Sequence, residues 1–186
     1  HIIFHLPYAF HGRRMIFNNW LNWMKKDAKY NDLLNEIGSE DDEFFTKKAY
    51  KSDIYKKFIT SKIAPGEKAS SSIGNMYSAS VFMSLLSMLN YHYDSGIEIK
   101  DQKVGFISYG SGSKAKIFQG EIQKSWKDKI QTSKLFESLN KRKEISFEDY
   151  QNLHKSKNIP PLSNHSIRFS HTDETVNSKG YRRYKI

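Results

Sequence analysis

Three short segments carry the side chains of this chain best suited to chemistry. Ile2-Ile3-Phe4-His5-Leu6-Pro7-Tyr8 has the pattern of an apolar strand that delivers an imidazole at its exit. Gly74-Asn75-Met76-Tyr77-Ser78-Ala79-Ser80 has the pattern of a Gly-Asn turn running into a buried helix. Ser108-Tyr109-Gly110-Ser111-Gly112 has the pattern of a strand ending in a tight Gly-Ser turn. An imidazole is the side chain easiest to poise near neutral pH, and it can donate to a carbonyl oxygen. A carboxamide and the free N–H groups of a helix end or turn add fixed donors. Together these groups suit the oxygen of a thioester.

Taken singly, each segment also has an ordinary structural reading. A histidine after apolar residues can be a satisfied core side chain, although a strand exit is where ligands gather in α/β sheets. Asn75 is a good helix N-cap. Gly110-Ser111-Gly112 alone is a hairpin turn, too short for a phosphate loop. The chemical reading rests on all three occurring together.

The elements that must position these groups follow from periodicity. Residues 1–8 are strand-like. Gly12 to Lys26 has helical spacing, with Ile16, Trp20 and Trp23 on one face and Phe17, Leu21 and Met24 beside it. Residues 27–70 are the least regular. They hold an acidic block at Glu40 to Glu43 and a Lys-rich stretch from Lys47 to Lys57, interleaved with Tyr50, Ile54 and Tyr55. This stretch is expected to form one or two surface helices of an insertion at about 27–70, broken by Pro65-Gly66.

Asn75 to Tyr91 is the best-marked helix. Tyr77, Val81, Leu85 and Leu89 repeat along it, and Phe82, Leu86 and Met88 widen that face. Ser78, Ala79, Ser80, Ser84 and Ser87 fill the other positions and allow neighbours close. Lys103 to Tyr109 and Ala115 to Gly120 predict a hairpin. Ser146-Phe147-Glu148-Asp149 predicts a capped helix to about His154. Ile167 to His171 and Tyr181 to Ile186 predict two closing strands. The order points to a layered α/β fold with a mixed sheet and a buried central helix. The start within a strand predicts preceding residues that include its sheet neighbours.

Composition narrows the function classes. The 186 residues, 38% hydrophobic and 14% aromatic, suffice for a folded core. No apolar run approaches the ~20 residues that cross a bilayer. The stretch Val81 to Leu89 is interrupted by Ser84 and Ser87. The absence of cysteine excludes disulfides and thiolate metal sites within the chain. With no export signal, the expected location is cytoplasmic. The net charge of +10 admits a nucleic-acid surface or attraction of a polyanionic small molecule. No recognised nucleic-acid motif accompanies it, and Lys124, Lys127 and Lys129 have the look of solvated positions. The expectation is therefore no nucleic acid, no membrane and no metal or redox cofactor. A basic, non-enzymatic binding module stays as the lesser alternative.

Here a family resemblance becomes specific. The Phe4-His5-Leu6-Pro7-Tyr8 segment is similar to the catalytic-histidine strand of hydroxymethylglutaryl-CoA synthases, members of the thiolase superfamily. Gly74-Asn75-Met76-Tyr77, continuing Ser78-Ala79-Ser80, resembles that family's asparagine loop and following helix. Ser108-Tyr109-Gly110-Ser111-Gly112 resembles its hairpin beside the active site. The order and spacing agree over most of the chain, which therefore resembles the C-terminal half of such an enzyme, spanning residues 1–186.

The resemblance implies a thiolase-like fold and a Claisen-type condensation. In the family a cysteine takes the acetyl group of acetyl-CoA, and a glutamate removes a methyl proton. The carbanion attacks acetoacetyl-CoA, and water releases hydroxymethylglutaryl-CoA, a mevalonate precursor. His5 would polarise the attacked carbonyl, and Asn75 would take the asparagine role. Tyr77, Gly110 and Ser111 would lie on the substrate, with backbone N–H groups near Ser111 on a thioester oxygen. The cysteine and glutamate belong to the N-terminal half, so the isolated chain is expected to be inactive and to need that half, and a homodimer is implied. The family commonly has a lysine five residues after the histidine, where this chain has Phe10. Arg13 and Arg14 would supply the charge instead. CoA and acyl carrier protein both stay open as acyl carriers, and so does a β-branching or ketoacyl-synthase-like relative.

Overall fold

Strand β1 (Ile2–Phe4) is only 3 residues long, but both of its faces are covered. Successive side chains of a strand point to opposite faces, and the packing follows that alternation. Ile3 joins one core with Val104, Phe106, Val81 and Met88. Phe4 joins the other, with Phe17, Trp20 and Tyr55. β1 runs parallel to β2 (Lys103–Gly110), with Phe4 opposite Ile107. β2 pairs antiparallel with β3 (Lys114–Glu121), giving a mixed sheet in the order β1-β2-β3. The computed structural model describes residues 1–6, 8–110, 114–155, 168–172 and 182–185, with residues 109–110 and the last two stretches described by backbone alone.

The chain divides into two compact units, His1–Lys141 and Arg142–Ile186. In the first, α1 (His11–Met24) crosses β1 closely. A Cβ built on Gly12 would lie 2.5 Å from Phe4 Cδ2. Phe17, Trp20, Leu21 and Met24 form its buried line, while Trp23, expected on that face, is 55% exposed. The apolar arc of α1 is wider than the surface it covers.

Residues 27–70 differ from expectation. They form α2 (Tyr30–Ile37), α3 (Phe45–Lys51), α4 (Asp53–Lys62) and most of α5 (Ala64–Ile73). Leu33, Phe45, Ala49, Tyr55, Ile59 and Ile63 are buried in the Phe4 core rather than lying on surface helices. Their lysines occupy the outward faces, so a charge-rich reading hides an apolar line of helical period. Pro65-Gly66 does not break the chain either. Proline sits in the first turn of α5, where its missing N–H costs nothing.

α6 (Ser80–Asp94) packs against both the sheet and α5 and is preceded by a 3₁₀ turn at Tyr77–Ala79. Its deepest positions are Ser80, Ser84, Ser87 and Met88, whereas Tyr77 and Phe82 are exposed and Leu85, Leu86 and Leu89 are partly buried. The small residues form the inner stripe of the helix. A Cβ on Gly66 of α5 would lie 3.4 Å from the Ser84 carbonyl oxygen, a measure of how near the two helices run. α7 (Trp126–Ile130) closes the Ile3 core, and α8 (Leu135–Asn140) ends the unit. Among the described residues no helix is long and apolar enough to cross a membrane.

In the second unit, Ser146 caps α9 (Phe147–His154) as expected, its Oγ accepting from the Asp149 N–H at 3.0 Å. β4 (Arg168–Thr172) pairs antiparallel with β5 (Arg182–Lys185), with an irregularity between Phe169 and His171. The turn between them lies outside the described residues.

Candidate active site

The β1 exit is tied to β2 one residue before the Gly-Ser segment and to α6 at the last residue of the asparagine segment. The His5 N–H donates to the Ile107 carbonyl at 2.9 Å, extending the parallel pairing by one residue. The next amide, Leu6 N–H, turns away from the sheet and donates to Ser80 Oγ at 3.1 Å. One residue earlier, the Phe4 carbonyl accepts from Ser84 Oγ at 3.4 Å. His5 is therefore held between β2, three residues before Gly110, and the first turn of α6, five residues after Asn75. At about 3.3 Å per residue, Gly110 lies roughly 10 Å along β2 from Ile107. Because β1 and β2 are parallel, Gly110 lies at the end of the sheet from which β1 exits. The side chain of His5 is half-buried.

Asn75 lies ahead of α6 and does not cap it. Its Oδ1 accepts the Tyr77 N–H at 2.8 Å, closing a local turn before the 3₁₀ segment. Because the backbone N–H is a donor, the side-chain oxygen must face it, and the NH₂ end of Asn75 is left as a donor. Tyr77 has φ +51, a left-handed backbone that costs a non-glycine residue about 1–2 kcal/mol. Its side chain is 77% exposed. Such outliers persist where surrounding structure over-determines them, commonly at functional sites. Gly110 ends β2 opposite Lys114, and Ser111 lies outside the described residues.

The two arginines of α1 have different surroundings. Arg14 is exposed. Arg13 donates from Nε to Glu67 Oε2 at 2.8 Å and brings Nη2 to the same oxygen at 2.7 Å. Its guanidinium also lies over the Phe10 ring, 4.5 Å from the centroid. Glu67 is 2% exposed and its Oε1 has no hydrogen-bond partner among the described residues. Burial pushes its carboxyl above the usual carboxylate range, and the Arg13 hydrogen bond and charge only partly oppose that. The Tyr55 hydroxyl donates to the Arg13 carbonyl, so α1, α4 and α5 are joined around this residue.

Sequence reasoning did not find Ser80, Glu67 or Tyr55. Glu67 and Tyr55 sit in a stretch whose charge masked its burial. Ser80 was read as a small packing residue, and its partner Leu6 lies 74 positions away.

Residues 1–179 match the protein family described as hydroxymethylglutaryl-coenzyme A synthase C terminal. The hydroxymethylglutaryl-CoA synthase of Haloferax volcanii is 29% identical over 168 residues, covering 83% of this chain and 38% of that protein. Hydroxymethylglutaryl-CoA synthase A of Dictyostelium discoideum is 28% identical over 199 residues, covering 98% of this chain and 40% of that protein. Among solved structures, MvaS in complex with 3-hydroxy-3-methylglutaryl coenzyme A matches with a TM-score of 0.66 at 21% identity, over 98% of this chain and 40% of that one. The curacin-pathway HMG synthase in complex with acetyl donor-ACP matches with a TM-score of 0.60 at 16% identity, over 100% of this chain and 42% of that one. At such identities the structural likeness speaks for the fold, which is thiolase-like. The chain spans about two fifths of the length of these curated relatives. A profile match along nearly the whole sequence, on a matching fold, places this chain in the hydroxymethylglutaryl-coenzyme A synthase C-terminal family.

Proposed function

We propose that this chain is the histidine- and asparagine-bearing part of an acyltransferase that condenses acetyl-CoA with acetoacetyl-CoA to hydroxymethylglutaryl-CoA. The observation that carries the proposal is the pair of consecutive amides at the β1 exit. His5 N–H bonds to β2, in the strand that leads to Gly110, and Leu6 N–H bonds to Ser80 of α6, the helix that follows the asparagine segment. In the reaction, the enolate of an enzyme-bound acetyl group attacks the ketone carbon of acetoacetyl-CoA. The new C–C bond turns the ketone oxygen into an alkoxide, which takes a proton from the His5 imidazole. The NH₂ of Asn75 and backbone N–H groups near Ser111 stabilise charge on the acyl oxygens. Each such donor is typically worth about 3–4 kcal/mol in the transition state. Water then hydrolyses the enzyme thioester and frees the product.

The nucleophile and the enolising base come from residues outside this sequence, in an N-terminal half of the same enzyme. Large exposed side chains flank the proposed site: Tyr8 after the β1 exit, Tyr77 before α6 and Phe82 in its first turn. Large exposed side chains of this kind suit a surface that other protein covers. The reading includes a cytoplasmic homodimer and no cofactor beyond the thioester substrates.

His5→Ala in the enzyme that carries this chain tests the proposal. Condensation, followed as thiol release with both substrates, is expected to fall by about a hundred- to ten-thousandfold, the range for one general acid. Acetylation of the nucleophile, read with labelled acetyl-CoA alone, is expected to persist. Loss of acetylation in His5→Ala, or condensation left at the wild-type rate, would refute the role of His5. Robust turnover by the 186-residue chain alone would refute the division of labour between the two halves.

A second reading concerns the acyl carrier. Phe10 occupies the position where the family resemblance leads one to expect a lysine, and Arg13 is engaged with Glu67. Both features remove cationic contacts a CoA phosphate would use, which favours a carrier-protein thioester for at least one substrate. Comparing acetyl-CoA with an acetylated carrier protein as the donor separates the two.

A further inference from the structure

We infer that Ser80 is a positioning residue for His5, acting through the Leu6 amide; this rests on the function proposed above. The β1 exit has to leave the sheet just where the imidazole must be fixed. At that point the chain changes partner, with His5 N–H still on β2 at 2.9 Å and Leu6 N–H on Ser80 Oγ at 3.1 Å. Leu6 is 2% exposed and Ser80 is fully buried, so no solvent stands ready to replace that bond. The two peptide units that flank the His5 Cα are thus each held, one on β2 and one on α6, and their orientations set the Cα–Cβ direction of His5.

Ser80 begins a polar seam along α6. One turn on, Ser84 Oγ donates to the Phe4 carbonyl at 3.4 Å. A further turn on, Ser87 Oγ donates to the Pro65 carbonyl at 2.7 Å and accepts the Ala69 N–H at 3.0 Å. All three serines are buried and bond backbone. Ser80 alone bonds the residue that follows His5, whereas Ser87 reaches α5. The seam therefore contains its own control: two buried hydroxyls of one helix, one tied to the site and one tied to its scaffold.

Ser80 also couples the two catalytic segments. Asn75 stands five residues before it, across a turn and a 3₁₀ segment that end at Ser80. The Ser80 hydroxyl thus ties the exit of the imidazole strand to the helix that the asparagine loop leads into.

The test uses the complete enzyme and reads the ratio of condensation rate to acetylation rate, so that a loss of folded protein cancels. Ser80→Ala is expected to lower this ratio by about ten- to a hundredfold, the cost of a misplacement near 1 Å. Ser80→Thr, which keeps the acceptor oxygen, is expected to recover most of it. Ser87→Ala is expected to lower thermal stability at least as much as Ser80→Ala and to leave the ratio within about twofold of wild type. Should Ser80→Ala not accumulate as folded protein, Ser80→Cys, which keeps the volume with a weaker acceptor, reads the same ratio. An unchanged ratio in the Ser80 variants, with condensation intact in wild type and lost in His5→Ala, overturns the role of Ser80 and leaves the proposed function standing. Failure of the wild-type enzyme to condense at all overturns both.

Discussion

The two sides of β1 are built on different principles. On the Phe4 side, α1 and α4 supply aromatic rings in mutual contact. Trp20 and Tyr55 lie 4.5 Å apart between centroids, and Phe17 meets Tyr55 edge-on at 5.0 Å. On the Ile3 side, α6 brings serines to the backbone of β1 and α5. Rings fill volume and tolerate small shifts, because dispersion and burial are only weakly directional. Hydroxyl-to-backbone bonds contribute little net energy but fix geometry, since a misaligned buried bond forfeits its benefit. The aromatic side holds the unit together, and the serine side determines where the β1 exit points. A site that must hold an imidazole to a fraction of an ångström gains from the second kind of contact.

That contrast predicts unequal consequences for mutation. The largest loss of stability belongs to the aromatic side. Trp20 is 3% exposed and central to the ring cluster, so Trp20→Ala is expected to cost about 3–5 kcal/mol. Equilibrium urea unfolding reads this as a lower midpoint with little change in slope. A loss below about 1 kcal/mol would mean that the rings are not the mechanical core.

A smaller effect is expected at the junction of the two sides. Gly12 opens α1 where it crosses Phe4, and an added Cβ would lie well inside contact distance of that ring. Gly12→Ala must push α1 or the Phe4 ring aside, at about 1–3 kcal/mol. Phe4 precedes His5, so the same variant should reduce condensation more than acetylation. Equal reductions would show that the aromatic side does not communicate with the site.

The same contrast explains what could be read from the sequence. The hairpin of β2 and β3, helix α1 and the Ser146 cap were legible because their signals are local. Alternation, a 3.6-residue period and a four-residue cap all lie within one window. Residues 27–70 were misjudged because one alanine, one tyrosine or one isoleucine per turn, among many lysines, is enough to build a core face. Only the tertiary partner reveals that face as buried. The site was legible in part. His5 and Asn75 stand in segments that gain meaning jointly, but Ser80 carries no local mark of its bond to Leu6. Polar residues advertise a capacity to bond, and the sequence does not name the partner.

The smallest effect is a slope rather than a loss, and it probes the polar link between α1 and α5. Burial raises the Glu67 carboxyl above its ordinary value of 4.5, while Arg13 only partly opposes it. The folded state then holds that proton more tightly than the unfolded chain. The contribution of Glu67 to stability is fully present below about pH 4.5 and is lost as the pH rises through the raised folded value. Glu67→Gln removes this titration and keeps the shape. The stability of wild type relative to Glu67→Gln, from urea unfolding over a pH series, is expected to fall as the pH climbs out of that window. All other titrating groups are common to both proteins and cancel in the difference. A difference that instead grows with pH would mean that the Arg13 charge outweighs burial. The link would then be a stabilising ion pair, and the contrast between an aromatic side that holds and a polar side that orients would need redrawing at α5.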